Sequence, residues 1–141
     1  IYKFRTMNVM ENGTDIAQAR KGDSRITRLG HFLRSASLDE LPQLFNVIRG
    51  DMSLVGPRPH AVAHDSYFAS LIENYELRQH VMPGVTGWAQ VHGLRGETAT
   101  PAMMRRRVEF DLWYAKNASL LLDFQILART AIEVFRQRNA Y

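Results

Sequence analysis

The chain has 141 residues, 45% of them apolar and 23% charged, and it contains no cysteine. Such a length fits one domain with a proper core, the composition excludes wholesale disorder, and the missing thiols exclude disulfides and thiolate metal sites. Net charge is +4 with 15 arginines against 3 lysines, an excess that reflects either genome composition or repeated bidentate contact with phosphates or an anionic membrane surface.

Ile1 to Met7 alternates as a short strand would, with Tyr2, Phe4 and Thr6 on one face and Lys3 and Arg5 on the other. Because the chain opens on Ile1, directly in this strand-like segment, it reads as a fragment whose upstream part is missing. Asn8 to Gly22 is polar and reads as a loop. Asp23 or Ser24 caps a helix to about Arg34 with Ile26, Leu29 and Leu33 inward, and Arg25 and Arg28 share another face. A second helix starts near Asp39-Glu40 and carries Leu41, Leu44, Phe45 and Ile48 before Gly50 stops it. Met52 to Val55 is short and extended and leads into Gly56-Pro57-Arg58-Pro59. Helical spacing of Phe68, Leu71, Ile72 and Tyr75 predicts a helix over about 61–80. Pro83 to Gly87 breaks the chain, Trp88 to Val91 is a short extended piece, and helices cover Pro101 to Lys116 and Asp123 to Arg138. No apolar run approaches the roughly 20 residues of a membrane span. The expected fold is α+β and mainly helical: a single compact domain, residues 1–141, with short strands or a β-hairpin.

Two features carry chemistry. In Ser37-Leu38-Asp39-Glu40-Leu41-Pro42-Gln43, Ser37 and Glu40 have the spacing of a capping box. That register puts Pro42 at the fifth helical position, where it forfeits a backbone bond. With Asp39 as cap, Pro42 falls in the first turn and the Asp39 carboxylate meets the positive end of the helix. Two adjacent carboxylates are costly unless a cation sits between them, which points to a divalent metal. The second feature is the turn around Arg58: Pro57 and Pro59 hold Gly56 and Arg58 extended, and a preset backbone lowers the cost of aiming the Arg58 fork at a phosphate. A plain loop with a solvated arginine is the alternative.

Arg105, Arg106 and Arg107 fan around a helix. Arg107 can pair with Asp111 at i+4, leaving the other two for solvent or phosphate. The five histidines form no recognisable metal set, and Trp88 and Trp113 read as core or interface anchors. Charge and arginine content would also suit a nucleic-acid-binding module, but the chain contains no recognised motif of that kind, so no nucleic-acid partner is expected.

Taken in order, the segments Tyr-Lys-Phe-Arg-Thr-Met (2–7), Arg-Ile-Thr-Arg-Leu-Gly (25–30), Leu33 through Val47, Gly50 through Pro59 and Pro-Gly-Val-Thr-Gly-Trp-Ala-Gln-Val (83–91) resemble the bacterial sugar transferases, the monotopic polyprenyl-phosphate phosphoglycosyl transferases. Gly-Leu-Arg-Gly-Glu-Thr (93–98) with Arg107 through Tyr114 is similar to the branch that transfers glucose 1-phosphate. The resemblance implies transfer of a sugar 1-phosphate from a UDP-sugar to undecaprenyl phosphate with release of UMP, at the cytoplasmic face of the bacterial inner membrane. Galactose or an N-acetylated hexose are the other sugars it leaves open. By the same resemblance Asp39 is the nucleophile, forming a phosphosugar–aspartyl intermediate, and Glu40 ligates magnesium (Mg2+). Arg58 with Pro57, then Lys3, Arg5, Arg105, Arg106 and Arg107, contact phosphates, and Thr86, Gly87 and Gln90 shape the nucleotide pocket. Two departures stand out. The family's N-terminal membrane-embedded helix is absent from the chain, and Asn117-Ala118-Ser119 stands where many members carry an aromatic before the serine.

Overall fold

In a computed structural model of the chain, the described residues are 1–8, 19, 22–60, 62–96, 98 and 100–136. They form helices α1 (Arg28–Ser35), α2 (Gln43–Ile48), α3 (Val62–Leu71), α4 (Pro101–Asn117) and α5 (Leu120–Arg136), and strands β1 (Ser53–Val55) and β2 (Gly84–Thr86). Short 3-10 turns lie at Leu38–Glu40 and Tyr75–His80, and a π-type turn at Gln90–Leu94. Among the described residues no helix is long and apolar enough to cross a membrane.

The sheet is small and parallel, with Ser53 opposite Gly84 and Val55 opposite Thr86. The expected hairpin is therefore corrected: Pro83 to Gly87, read as a break, supplies the second strand, and α3 lies in the crossover between the two. Glycine is what lets the segments meet. A Cβ on Gly84 would stand 2.1 Å from the Gly56 nitrogen, and one on Gly56 would stand 2.3 Å from the Met82 carbonyl oxygen.

Among the described residues the core is built of two apolar clusters, one of which takes in β1. Phe68, Ile72, Tyr75, Met104 and Val108 join α3, the turn after it and α4. Val55, Tyr114, Leu122 and Ile126 join β1, α4 and α5, with Trp88, Val91 and Leu127 packed against them. Burying one such aliphatic or aromatic side chain stabilises the fold by about 1.5–3 kcal/mol, so these contacts dominate the core.

Several local expectations change. Among the described residues Ile1–Met7 takes part in one isolated antiparallel bridge, Met7 to Ile26, and the Phe4 amide donates to the Asp39 carbonyl. Helix α1 starts at Arg28 with Thr27 as its cap, the Thr27 hydroxyl accepting from the Gly30 amide at 2.9 Å. Asp23 instead pairs with Arg25 at 2.6 Å, so Arg25 stands outside the helix. The buried face of α1 is Gly30, while Leu29 is exposed. The long helix expected over 61–80 ends at Leu71, and Asn74, with a left-handed φ of 61°, leads into the 3-10 turn Tyr75–His80. Trp88 to Val91 is helical rather than extended. Helix α5 begins three residues early because Ser119 caps it, accepting from the Leu122 amide at 3.2 Å. The loop expected over 8–22, and the last residues of the final helix, fall almost wholly outside the described residues.

The largest correction concerns α2. Gln43 and Asn46 face inward, whereas Leu41, Leu44, Phe45 and Ile48 are exposed. Asn46 is drawn in by its polar work: its Oδ1 accepts from the Tyr2 amide at 2.8 Å and its carbonyl accepts from the Asp51 amide. An outward apolar stripe of this kind marks a surface that meets something other than water; Leu120, Leu121 and Phe124 on α5 are exposed as well.

Candidate functional site

Neither cap register predicted for the dicarboxylate is the one adopted. Ser37 takes a left-handed φ of 58° and makes no side-chain capping bond, and Asp39 and Glu40 sit inside the 3-10 turn. Pro42 stands immediately before the six-residue α2, with φ −61°. The chain thus breaks at the carboxylates, which removes the helix-dipole argument for Asp39 and replaces it with side-chain cations.

Three separate segments deliver those cations. Backbone bonding of Tyr2 and Phe4 along the turn lays Lys3 over it, with Nζ 3.0 Å from Asp39 Oδ2 and 3.3 Å from Glu40 Oε1. The turn after β1 brings Arg58 Nη2 to 2.5 Å from Glu40 Oε1. That turn is clamped to β2, since the Gly56 amide donates to the Thr86 carbonyl and the Gly84 amide to the Pro57 carbonyl, each at 2.9 Å. After the π-type turn, where Gly93 takes φ 80°, Arg95 reaches back to donate to Glu40 Oε2 at 3.0 Å and to Ser37 Oγ at 2.8 Å.

Asp39 and Glu40 are 4% and 6% exposed. Burial alone pushes the Glu40 carboxyl up, but Arg58, Arg95 and Lys3 outweigh it and hold Glu40 at about 2. The cluster of Lys3, Arg58 and Arg95 against Asp39 and Glu40 carries one net positive charge. It is a buried, electropositive place suited to an anionic oxygen group.

A second polar layer stands behind Arg58. The Arg58 carbonyl accepts from Arg78 Nη2 at 2.6 Å. Arg78 is 5% exposed and is pinned by Asp111 Oδ2 at 2.9 Å and by His60 Nδ1 at 3.1 Å. The Tyr75 hydroxyl joins them and donates to Asp65 Oδ1 at 2.6 Å. Burial pushes Asp111 upward against the pull of Arg78 and Arg107.

A groove of about 210 Å³ opens beside the cluster, with Ser37, Glu40 and Arg95 at its polar part and walls from α2, β1, β2 and α5. Thr86 and Gln90 line it; Asp39 is not among its lining residues. Thr86 Oγ1 is 2.7 Å from Thr130 Oγ1.

The remaining predicted site residues are scattered. Gly87 is buried where a Cβ would lie 2.2 Å from the Gly56 carbonyl oxygen, and Pro57 is buried in the clamped turn. Arg5 is exposed, as are Arg105 and Arg106 on α4, and none of these three is among the side chains holding Glu40. Arg107 is 3% exposed and donates to the Gly96 carbonyl, bracing the loop that carries Arg95. Asp111, the i+4 partner expected for Arg107, is instead gripped by Arg78 through two donor atoms. Sequence reasoning missed Arg95, Ser37 and Arg78. Arg95 lay inside the quoted 93–98 segment; Arg78 had no local signal, because the Arg58 carbonyl and Asp111 lie 20 and 33 positions away.

Among the described residues no group of three or more His, Cys, Asp or Glu side chains is arranged to hold a metal. The donor chemistry at Asp39-Glu40, two hard carboxylates, still fits a magnesium ion of the kind bound by one or two carboxylates plus substrate phosphates. Both Glu40 oxygens are engaged by side-chain cations in this structure.

The family described as bacterial sugar transferase matches residues 1–137. A UDP-glucose:undecaprenyl-phosphate glucose-1-phosphate transferase of Caulobacter vibrioides is 54% identical over the whole chain, which spans 53% of that relative. One of the same name from Xanthomonas campestris is 53% identical over the whole chain, which spans 29% of it. A UDP-N-acetylgalactosamine-undecaprenyl-phosphate N-acetylgalactosaminephosphotransferase of Aeromonas hydrophila is 46% identical over 92% of the chain and 30% of that relative.

Proposed function

Because the chain belongs to the bacterial sugar transferase family, we propose that it transfers a sugar 1-phosphate, glucose 1-phosphate foremost, from a UDP-sugar to undecaprenyl phosphate with release of UMP. The observation that carries this reading is the buried Asp39-Glu40 pair facing Lys3, Arg58 and Arg95. Carboxylates and a fixed arginine fork are the parts that phosphoryl transfer needs, since catalysis there is mostly positioning and charge stabilisation.

An Asp39 carboxylate oxygen attacks the sugar-bearing phosphorus of the donor. The bond from that phosphorus to the bridging oxygen breaks, and UMP leaves with the electron pair. A phosphate oxygen of undecaprenyl phosphate then attacks the same phosphorus, the aspartyl bond breaks, and Asp39 is regenerated as the lipid diphosphate-sugar departs. Splitting one displacement into two is what a carboxylate nucleophile offers. Arg58, on a turn clamped by two backbone bonds, neutralises the transferring phosphoryl oxygens, and Lys3 orients Asp39. Glu40 is the carboxylate proposed to hold magnesium, which when bound supplies further charge neutralisation at phosphate. The reaction is placed at the cytoplasmic face of the inner membrane; the exposed apolar side chains of α2 and α5 support contact with a membrane surface.

The Aeromonas relative supports a second donor, a UDP-N-acetylhexosamine, for the same chemistry. The test is UMP release from a panel of UDP-sugars with undecaprenyl phosphate, with and without magnesium, for wild type and Asp39→Asn. Wild type releases UMP with one preferred sugar and Asp39→Asn falls at least ~10³-fold, the scale of losing an activated nucleophile. An Asp39→Asn protein that matches wild type overturns the assignment.

A further inference from the structure

The groove beside Glu40 has a chemistry that the carboxylate cluster alone does not explain. Its walls are hydrocarbon: Leu41 and Leu44 at α2, Leu54 on β1, Val91, and Leu127 and Val134 on α5. Concave apolar surface of this kind should be covered, yet Leu41 is 49%, Leu54 44%, Leu44 41% and Val134 39% exposed. Each Å² of such surface left in water costs about 25 cal/mol, so an apolar occupant is favoured.

The threonine hydroxyls and the Gln90 amide nitrogen on the walls are spent on the protein itself, whereas the buried Gln90 Oε1 has no hydrogen-bond partner among the described residues. The Thr86 and Thr130 hydroxyls bond each other, Thr130 Oγ1 also reaches the Ile126 carbonyl at 2.8 Å, and the Gln90 amide nitrogen reaches the Val85 carbonyl at 3.4 Å. A base and ribose need several convergent donors and acceptors; a hydrocarbon needs none. Glu133 also lines the groove and disfavours a second anionic group beyond the mouth. At the mouth the sign reverses. Arg95 and Ser37 line it, and Arg95 approaches Glu40 through Oε2, the oxygen that Arg58 and Lys3 leave to it.

The matching occupant is an amphiphile with one anionic head and a long apolar tail. We infer that this groove is the seat of the polyisoprenyl chain of the lipid phosphate acceptor, with Arg95 receiving its phosphate while Arg58 serves the sugar nucleotide. The inference rests on the reaction proposed above and adds to it a division of labour between two arginines on opposite oxygens of one carboxylate.

The full protein is labelled with a polyisoprenyl phosphate carrying a photoreactive diazirine in its first isoprene units, and the labelled peptides are mapped. In parallel, Leu44→Asn and Leu127→Asn are assayed with farnesyl and undecaprenyl phosphate. Labelling falls on α2, Val91 or α5 and is suppressed by unlabelled undecaprenyl phosphate. The KM for undecaprenyl phosphate rises about tenfold or more in both variants, the preference for the longer chain flattens, and the KM for the sugar nucleotide stays within about twofold. Labelling elsewhere, or displacement by UDP-glucose rather than by lipid phosphate, overturns the inference, as do variants that keep the wild-type chain-length preference. If the wild type labels in the groove but no UDP-sugar yields UMP, the proposed reaction fails while the lipid seat stands. If UMP is released and labelling falls elsewhere, only the lipid seat fails.

Discussion

Replacing Glu40 by glutamine keeps the shape of the side chain and removes the charge that three cations share. The carboxyl is 6% exposed and burial alone raises it, yet Arg58 at 2.5 Å, Arg95 at 3.0 Å and Lys3 at 3.3 Å bring it from the ordinary 4.5 down to about 2. Taken from 4.5 down to about 2, the carboxyl makes its ionised form worth ~3.5 kcal/mol to the folded state, at ~1.4 kcal/mol per tenfold change in proton affinity. The folded value is depressed, so this stability is fully present above the unfolded value near 4.5 and is lost as pH falls through about 2. Glu40→Gln should therefore cost ~3.5 kcal/mol at about pH 7 but only ~1.5 kcal/mol at about pH 3, where wild type has already lost part of this stabilisation. Urea unfolding followed by the fluorescence of Trp88 and Trp113 measures both, with the midpoint read at unchanged slope. A penalty of equal size at both pH values, or none at neutral pH, would refute the reading of Glu40 as a charge held by Lys3, Arg58 and Arg95.

Arg78→Met strands Asp111 without its partner in the interior and is expected to cost about 3–5 kcal/mol, measured by thermal or urea unfolding. Arg78→Lys keeps the charge but loses the fork that spans Asp111 and the Arg58 carbonyl, so it should regain stability without fully restoring the KM for the sugar nucleotide. Gly84→Ala pushes a methyl to within 2.1 Å of the Gly56 nitrogen. It is expected to cost about 1–3 kcal/mol or more by overpacking, and to lower kcat by displacing the turn that aims Arg58; a variant with wild-type melting and turnover would disprove that account.

Local physics was legible in the chain. Met52–Val55 as an extended piece, Gly56–Pro59 as a stiff turn, and helix α4 with Pro101 at its start follow from residue-level rules that the surrounding protein has no reason to override. The pairing of Asp39 with Glu40 and the motif order were on the page of the sequence, and with them the family. What failed did so where tertiary contacts outbid local preference. The apolar spacing of Leu41, Leu44, Phe45 and Ile48 described a real stripe but not the side it faces, because Asn46 and Gln43 are drawn inward. Periodicity records that a face exists; only the neighbours say whether it meets the core.

The same division holds at the site. By itself the sequence determined that two carboxylates are adjacent and that a proline-braced arginine follows, since both are matters of neighbouring residues. Only the tertiary structure decided that Lys3, Arg58 and Arg95, separated by up to 92 positions, converge on one carboxylate and leave an apolar groove beside it. Charge acts through space and falls with distance rather than with sequence separation, so the partners that set the chemistry of Glu40 exist only once the chain has folded.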